Sequence, residues 1–305
     1  MKERTLIAIL ITSLLMARVD AEDAAFVRKN MADLAIADAS VRTKAAIILG
    51  NMRSQEAVPA LVRLLRTDKD SGVKRVSAIS LGKIGDGRAV PPLIEGMKAN
   101  DLALRRDCIE ALSHFRGDDV LSALSGALKE GSPILRQEAM LALAAIGDES
   151  VSGAVIEALK DECEDVRLKA VEFLRKIKSR ESVPALLDLL STDRVLEVRI
   201  AAADALGGIG EPSAKPVLME SLKKEKNKIL RCRMAGALGR FGEKSGFSAA
   251  SKCSGDKDFE VRMASIDALA SIGDKKSSNV LKKLAKDKDS RIAASAADAL
   301  ERIKQ

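Results

Sequence analysis

Apolar residues recur along this chain with two nested periods. The short period is helical: Val166, Ala170, Leu174 and Ile177 stand at offsets 0, 4, 8 and 11, which fall on one stripe of a 3.6-residue helix. The long period repeats that stripe. Its opening positions are Val41, Val73, Leu104, Leu135, Val166, Val198, Leu230, Val261 and Ile292, at steps of 31 or 32 residues. Eight residues after each opening stands a leucine, from Leu49 and Leu81 to Leu269 and Leu300, and three further on Met52, Ile84, Phe115 or Ile146 completes the stripe. Self-similarity at a fixed period predicts a stacked array in which each unit buries its apolar face against the next.

Each stripe ends in punctuation. Gly85-Asp86, Gly147-Asp148, Gly210-Glu211 and Gly273-Asp274 supply a left-handed stop followed by a capping residue. Pro59, Pro91, Pro184 and Pro216 share offset 18, where proline fits the first turn of a second helix. That helix carries Leu61, Leu64 and Leu65 in the first unit and ends near an acid such as Asp70, Asp101, Asp193 or Asp258. Residues 23–38 predict one opening helix, and residues 292–305 a closing half-unit.

The residue after each opening is basic: Arg42, Lys74, Arg105, Arg136, Arg167, Arg199, Arg231 and Arg262. A cation at a helix start opposes the macrodipole, so propensity does not explain it. A ladder does: each arginine reaches an acidic turn of its own or the adjacent layer and fixes the register.

These residues resemble the HEAT repeat family, in particular the short bacterial HEAT-like repeats also found in phycobilin lyases. The resemblance spans about residues 23–305. It implies an all-α fold: a right-handed α-solenoid of about eight two-helix repeats with half-repeat caps, the Val-Arg helix lying on the concave side.

Composition fits that fold and narrows the chemistry. There is no Trp or Tyr and only six Phe, so Ala, Leu, Ile and Val fill the interior. The 51 Lys and Arg are interspersed with 44 Asp and Glu, for a net charge of +7, a pattern of solvated helical surface. Lys2-Glu3-Arg4, the apolar run Leu6 to Ala17 and the small residues before Glu22 read as an export signal cleaved near Ala21. Twelve apolar residues are too few to span a bilayer, which takes about 20. The expected organisation is therefore a signal peptide at 1–21 and a solenoid at 22–305, in the periplasm or medium, with no transmembrane segment in the mature chain.

Catalytic constellations are scarce. His114 is the one histidine, and no His-Glu pair exists. The paired His-Glu metal sites of HEAT-type deoxyhypusine hydroxylases cannot be built from it. HEAT-like DNA glycosylases and single-strand binders lean on aromatic side chains that this chain lacks, which argues against nucleic acid. Cys108, Cys163, Cys232 and Cys253 have no C-x-x-C spacing, so no zinc or redox motif is expected. Cys232 and Cys253 are the one pair placed to lie close, with Cys232 expected toward the groove. Neither a metal nor a cofactor is expected.

The remaining candidate is a groove along the first helices, at offsets 2, 6 and 10. It offers apolar Ile79, Leu141, Leu168, Ile200 and Met263, expected to be exposed, beside an acidic row of Glu110, Glu172, Asp204 and Asp267. Arg106, His114 and Lys176 complete it. Apolar centres with charged flanks suit a protein or peptide partner. Three function classes follow. The first is an exported, non-catalytic scaffold with a concave binding face. The second is an enzyme subunit related to phycobilin lyases. The third is a polyanion-binding module, in which basic turns around Lys223–Lys228 and Lys282–Lys286 could also touch an anionic envelope surface.

Overall fold

The computed structural model describes residues 23–304. The predicted signal peptide lies outside those residues. The chain forms two compact units that meet in sequence at Ile146 and Gly147. Each is a stack of helical hairpins, and no strand occurs among the described residues.

In the first unit α1 (23–33) opens the stack. It ends five residues before the expected 38, and Asp38 instead caps the next helix, accepting the Ser40 amide at 2.7 Å. The first helices are α2 (Ala39–Asn51), α4 (Ser71–Ile84), α6 (Leu102–Leu112) and α8 (Pro133–Ile146). The second helices are α3 (Val58–Thr67), α5 (Val90–Gly96) and α7 (Asp118–Ala127). In the second unit the first helices are α10 (Glu164–Lys176), α12 (Leu196–Ile209), α14 (Lys228–Arg240), α16 (Phe259–Ile272) and α18 (Ser290–Lys304). Their partners are α9 (Ser152–Ala158), α11 (Val183–Thr192), α13 (Ala214–Lys224), α15 (Phe247–Cys253) and α17 (Lys275–Leu284).

The stripe read from sequence is the core. Leu49, Leu81, Leu143, Leu174, Leu206, Leu238 and Leu269 are fully buried. Met52 is not: it caps the end of α2 and is 39% exposed, beyond the last covering turn. Within each unit, successive first helices lie side by side and touch far more than successive second helices do. Offset 9 explains the closeness. It is Gly50, Gly82, Ser113, Ala144, Gly207, Gly239 and Ala270, with Arg175 the one large exception, and a side chain at Gly82 or Gly207 would meet the backbone of the next first helix.

Helix ends follow the punctuation. Asp70, Asp101 and Asp258 each accept a first-turn amide of the following first helix. The acids expected to close second helices thus open the next layer. Gly85, Gly147, Gly210 and Gly273 take left-handed backbone at the stop. Two units place a longer side chain in that same slot: Arg53 with φ 52° and Lys178 with φ 54°. An L-residue there costs roughly 1–2 kcal/mol, while glycine gives back about 0.5–1 in chain entropy. Lys178 is exposed, so Lys178→Gly is expected to stabilise by about 0.5–1 kcal/mol. A lower urea midpoint for the variant would contradict this.

Candidate functional site

The arginines that follow each opening residue sit between turns rather than in a groove. Arg167 donates from Nε and Nη2 to the two oxygens of Asp193 at 2.7 and 3.0 Å. Its Nη1 donates to the carbonyls of Asp161 and Glu162. One guanidinium thus ties the turn before its helix to the acid that ends its own repeat. Arg42 repeats the arrangement with Asp68 and the carbonyls of Ile36 and Ala37. Burial is the largest single influence on Asp68 and would raise its pKa, but the Arg42 hydrogen bond, the Asp70 amide and nearby cations together outweigh it and the carboxyl titrates below its usual range. Arg105 pairs with Glu130 and the Met97 carbonyl, Arg199 with Glu225 and the Leu190 carbonyl, and Arg262 with Asp287 and the carbonyls of Asp256 and Lys257. Arg136 is buried and holds the Glu130 and Gly131 carbonyls. Arg231 departs: it makes no ion pair among the described residues, and its Nε, like that of Arg262, is buried with no hydrogen-bond partner.

The groove side chains are less open than the offsets suggest. Leu141 is 45% exposed, whereas Ile79, Leu168, Ile200 and Met263 are half-buried. The reason is the close approach of neighbouring first helices, which covers offsets 2 and 6 from the side. On α14 the approach is closest, and Cys232 and Gly236 at those offsets are buried outright. Cys232 therefore points inward, not into the groove. It shares a thiol hydrogen bond with Cys253, which pushes the Cys232 pKa up and the Cys253 pKa down, and both are free thiols. Glu110, His114, Glu172 and Lys176 are exposed, while Arg106 is half-buried against Asp107 at 3.1 Å.

Nor is the acidic row an open line of carboxylates. In the second unit it is met by arginines. Arg233 on α14 reaches Asp267 on α16 at 3.1 Å and Asp204 on α12 at 3.9 Å. Arg240, also on α14, lies 3.9 Å from the other Asp204 oxygen. Arg175 approaches from α10. Together with Glu172, Gly208 and small neighbours these residues line a cavity of about 480 Å³.

Arg175 occupies offset 9, where every other first helix that faces a successor has Gly, Ala or Ser. It places a long charged side chain on the contact line that the other repeats fill with small ones. Across the seam stands Gly208, where a Cβ would come 3.1 Å from Arg175 Cγ. Most other repeats carry Lys83, His114, Lys176, Arg240 or Ser271 at that position. Arg175 makes no ion pair among the described residues. The offsets 9 and 3 of Arg175 and Arg233 lie outside the groove positions chosen from sequence, so both were missed. The break at offset 9 was the signal available.

Asp204 accepts no hydrogen bond among the described residues, and its nearest cations stand at 3.9 Å. Burial raises its pKa, and Arg233 and Arg240 only partly oppose that. The sign follows from linkage. A carboxyl raised by folding adds stability below its unfolded pKa and loses it as pH rises through the folded one. Asp204→Asn is accordingly expected to unfold at higher temperature than the parent at pH 7 and at the same temperature at pH 3. Equal gains at both values would contradict the assignment.

A sequence profile for HEAT repeats matches residues 29–113, 90–162, 152–231 and 222–301. The chain belongs to the HEAT repeat family. Among solved structures, YibA of Escherichia coli is 25% identical, with 83% of this chain and 96% of YibA aligned at a TM-score of 0.56. Kap95p, in its structure with RanGDP, is 13% identical over 91% of this chain and 44% of its own, with a TM-score of 0.68. The CpcE–CpcF complex of phycocyanin lyase from Nostoc is 22% identical over 73% of this chain and 91% of its own, at 0.45. No curated protein matches the chain in sequence. The repeat profile, with the YibA and Kap95p structures, establishes an all-α solenoid of stacked hairpins. No helix of the described residues is long and apolar enough to cross a membrane.

Proposed function

We propose that this HEAT protein is an exported, non-catalytic scaffold that binds a protein or peptide along its first-helix face. The observation that carries the reading is the under-paired Arg175–Asp204–Arg240 cavity. It sits on that face in a repeat whose packing slot has been given up to hold a charge. Asp204 is half-buried without a hydrogen bond and Arg175 is exposed without an ion pair, and under-paired charges of this kind gather at binding surfaces rather than in structural seams. Half-buried Leu168 and Ile200 stand one helical turn before Glu172 and Asp204, which places apolar contacts beside charged ones. Among the described residues no group of three His, Cys, Asp or Glu is placed to hold a metal. The exposed Lys223 and Lys224, the basic run weighed for polyanions, are engaged by Glu220 at 3.2 Å.

Photo-crosslinking in the native cell tests the face. A benzophenone side chain at Leu168 or Ile200 is expected to give one discrete adduct, identifiable by mass spectrometry. The same group at Asp188 or Glu220, exposed on second helices, is expected to give none. Adducts from both faces, or from neither, would overturn the proposal. Export is tested separately by the mature N-terminus. A chain beginning at Glu22 in the envelope or medium agrees with it, and an intact Met1 in the cytosol refutes it.

A further inference from the structure

Three guanidiniums converge on one cavity from two helices, and none is fully neutralised. Arg175 has no ion pair among the described residues. Arg240 has only the 3.9 Å approach to Asp204. Arg233 spends one nitrogen on Asp267, while its Nε, 3.9 Å from Asp204, is buried without a hydrogen bond. A buried donor left without a partner is expensive, and a ligand that supplies the acceptor recovers that cost. Space has been made for one. Gly208 withdraws the side chain that Lys83 or Lys176 would project at that level, and the resulting cavity of about 480 Å³ is of ligand-binding size.

The charge balance selects the ligand. The lining holds three cations and two carboxylates, Glu172 and Asp204, and Arg233 is further paired with Asp267, so one guanidinium, Arg175, is left without an ion pair. That matches a monoanion. A phosphate dianion would leave excess negative charge, and a polyanion backbone would meet the two resident carboxylates head on. Arginine's planar fork is the donor that a carboxylate accepts from in pairs. One helical turn before Glu172 and Asp204, about 5.4 Å along each axis, Leu168 and Ile200 offer aliphatic, half-buried side chains beside the cavity.

We infer that Arg175, Arg233 and Arg240 form a subsite for the carboxylate of an acidic peptide segment flanked by aliphatic residues. This rests on the partner-binding reading above and names the chemistry that the partner presents. Arg175 and Arg240 grip the carboxylate from opposite sides of the seam. Arg233 remains bound to Asp267 and turns its spare Nε to the same group. The Asp204 carboxylate, 3.9 Å from both Arg233 and Arg240, sets the limit on how strongly an anion is drawn in.

Calorimetric titration of the full chain with acetyl-Leu-Glu-Leu-Glu-amide tests the subsite. One-to-one binding is expected, with a loss of about tenfold or more for the Leu-Gln-Leu-Gln analogue. Arg175→Gln and Arg240→Gln are each expected to weaken binding about tenfold, while Arg66→Gln, in an exposed pair of the first unit, leaves it unchanged. Asp204→Asn is expected to tighten it, a gain that a misfolded variant would not show. Absence of saturable binding, equal affinity for the Gln analogue, or inorganic phosphate displacing the peptide at lower concentration would each overturn the carboxylate assignment. The two readings separate. Crosslinks at Leu168 and Ile200 that persist in Arg175→Gln would sink the subsite and leave the scaffold standing. Peptide binding without any first-helix crosslink would do the reverse.

Discussion

Arg167→Ala is expected to destabilise the second unit by about 3–5 kcal/mol, the range for removing one partner of a buried ion pair. The Arg167 and Asp193 side chains are 7% and 4% exposed, so neither charge is hydrated in place of the other. Truncation would leave Asp193 with the Val195 amide alone, at 2.8 Å, and would remove the donor from the carbonyls of Asp161 and Glu162. Arg66→Ala is the comparison. Its pair with Glu95 is a single hydrogen bond at 2.9 Å, 47% and 62% exposed, and its loss should cost under about 1 kcal/mol. The chain has no Trp or Tyr, so unfolding in urea is followed by far-UV circular dichroism. A double variant with Asp193→Ala is expected to lose less than the two single losses added, because the orphaned carboxylate is gone. If Arg167→Ala falls no further than Arg66→Ala, the clamp between turns is not a stability element.

Most of the fold was readable because its determinants are local and recur. The Val166–Ile177 stripe, the Gly85-Asp86 stop and Pro59 at a helix start each state their own geometry, and eight repetitions remove the ambiguity of any single one. The site was readable only in part. Glu172 and Asp204 were found because the groove offsets follow from helix periodicity. Their partners were not, because which side chains meet across a seam depends on how closely two helices approach. That distance is set at offset 9, by residues that look inert in sequence. The same cause misplaced Cys232 and overstated the exposure of Leu168, Ile200 and Met263. An arginine at offset 9, in a column of Gly, Ala and Ser, could have been noticed. Its meaning required knowing that the column is the contact line between layers.

Gly239→Ala isolates that contact line. In an isolated helix the change would gain about 1 kcal/mol in propensity. Here the added Cβ would stand 2.6 Å from the Ile272 nitrogen and 2.7 Å from the Ser271 carbonyl carbon. Both are backbone atoms of α16, and no rotamer change moves them. Either α16 shifts away, uncovering Leu238 and Leu269, or α14 distorts. Overpacking of this kind costs about 1–3 kcal/mol, and with a whole helix to displace the upper part of that range applies, for a net loss of about 2 kcal/mol. Gly126→Ala on α7 is the matched control, since its Cβ would meet nothing within 4 Å. It should stabilise by about 0.5–1 kcal/mol. Opposite signs for two identical substitutions in helices would show that offset 9 is governed by helix approach. Matching gains would mean that α14 and α16 do not touch there, and that offset 9 is not the contact line between layers.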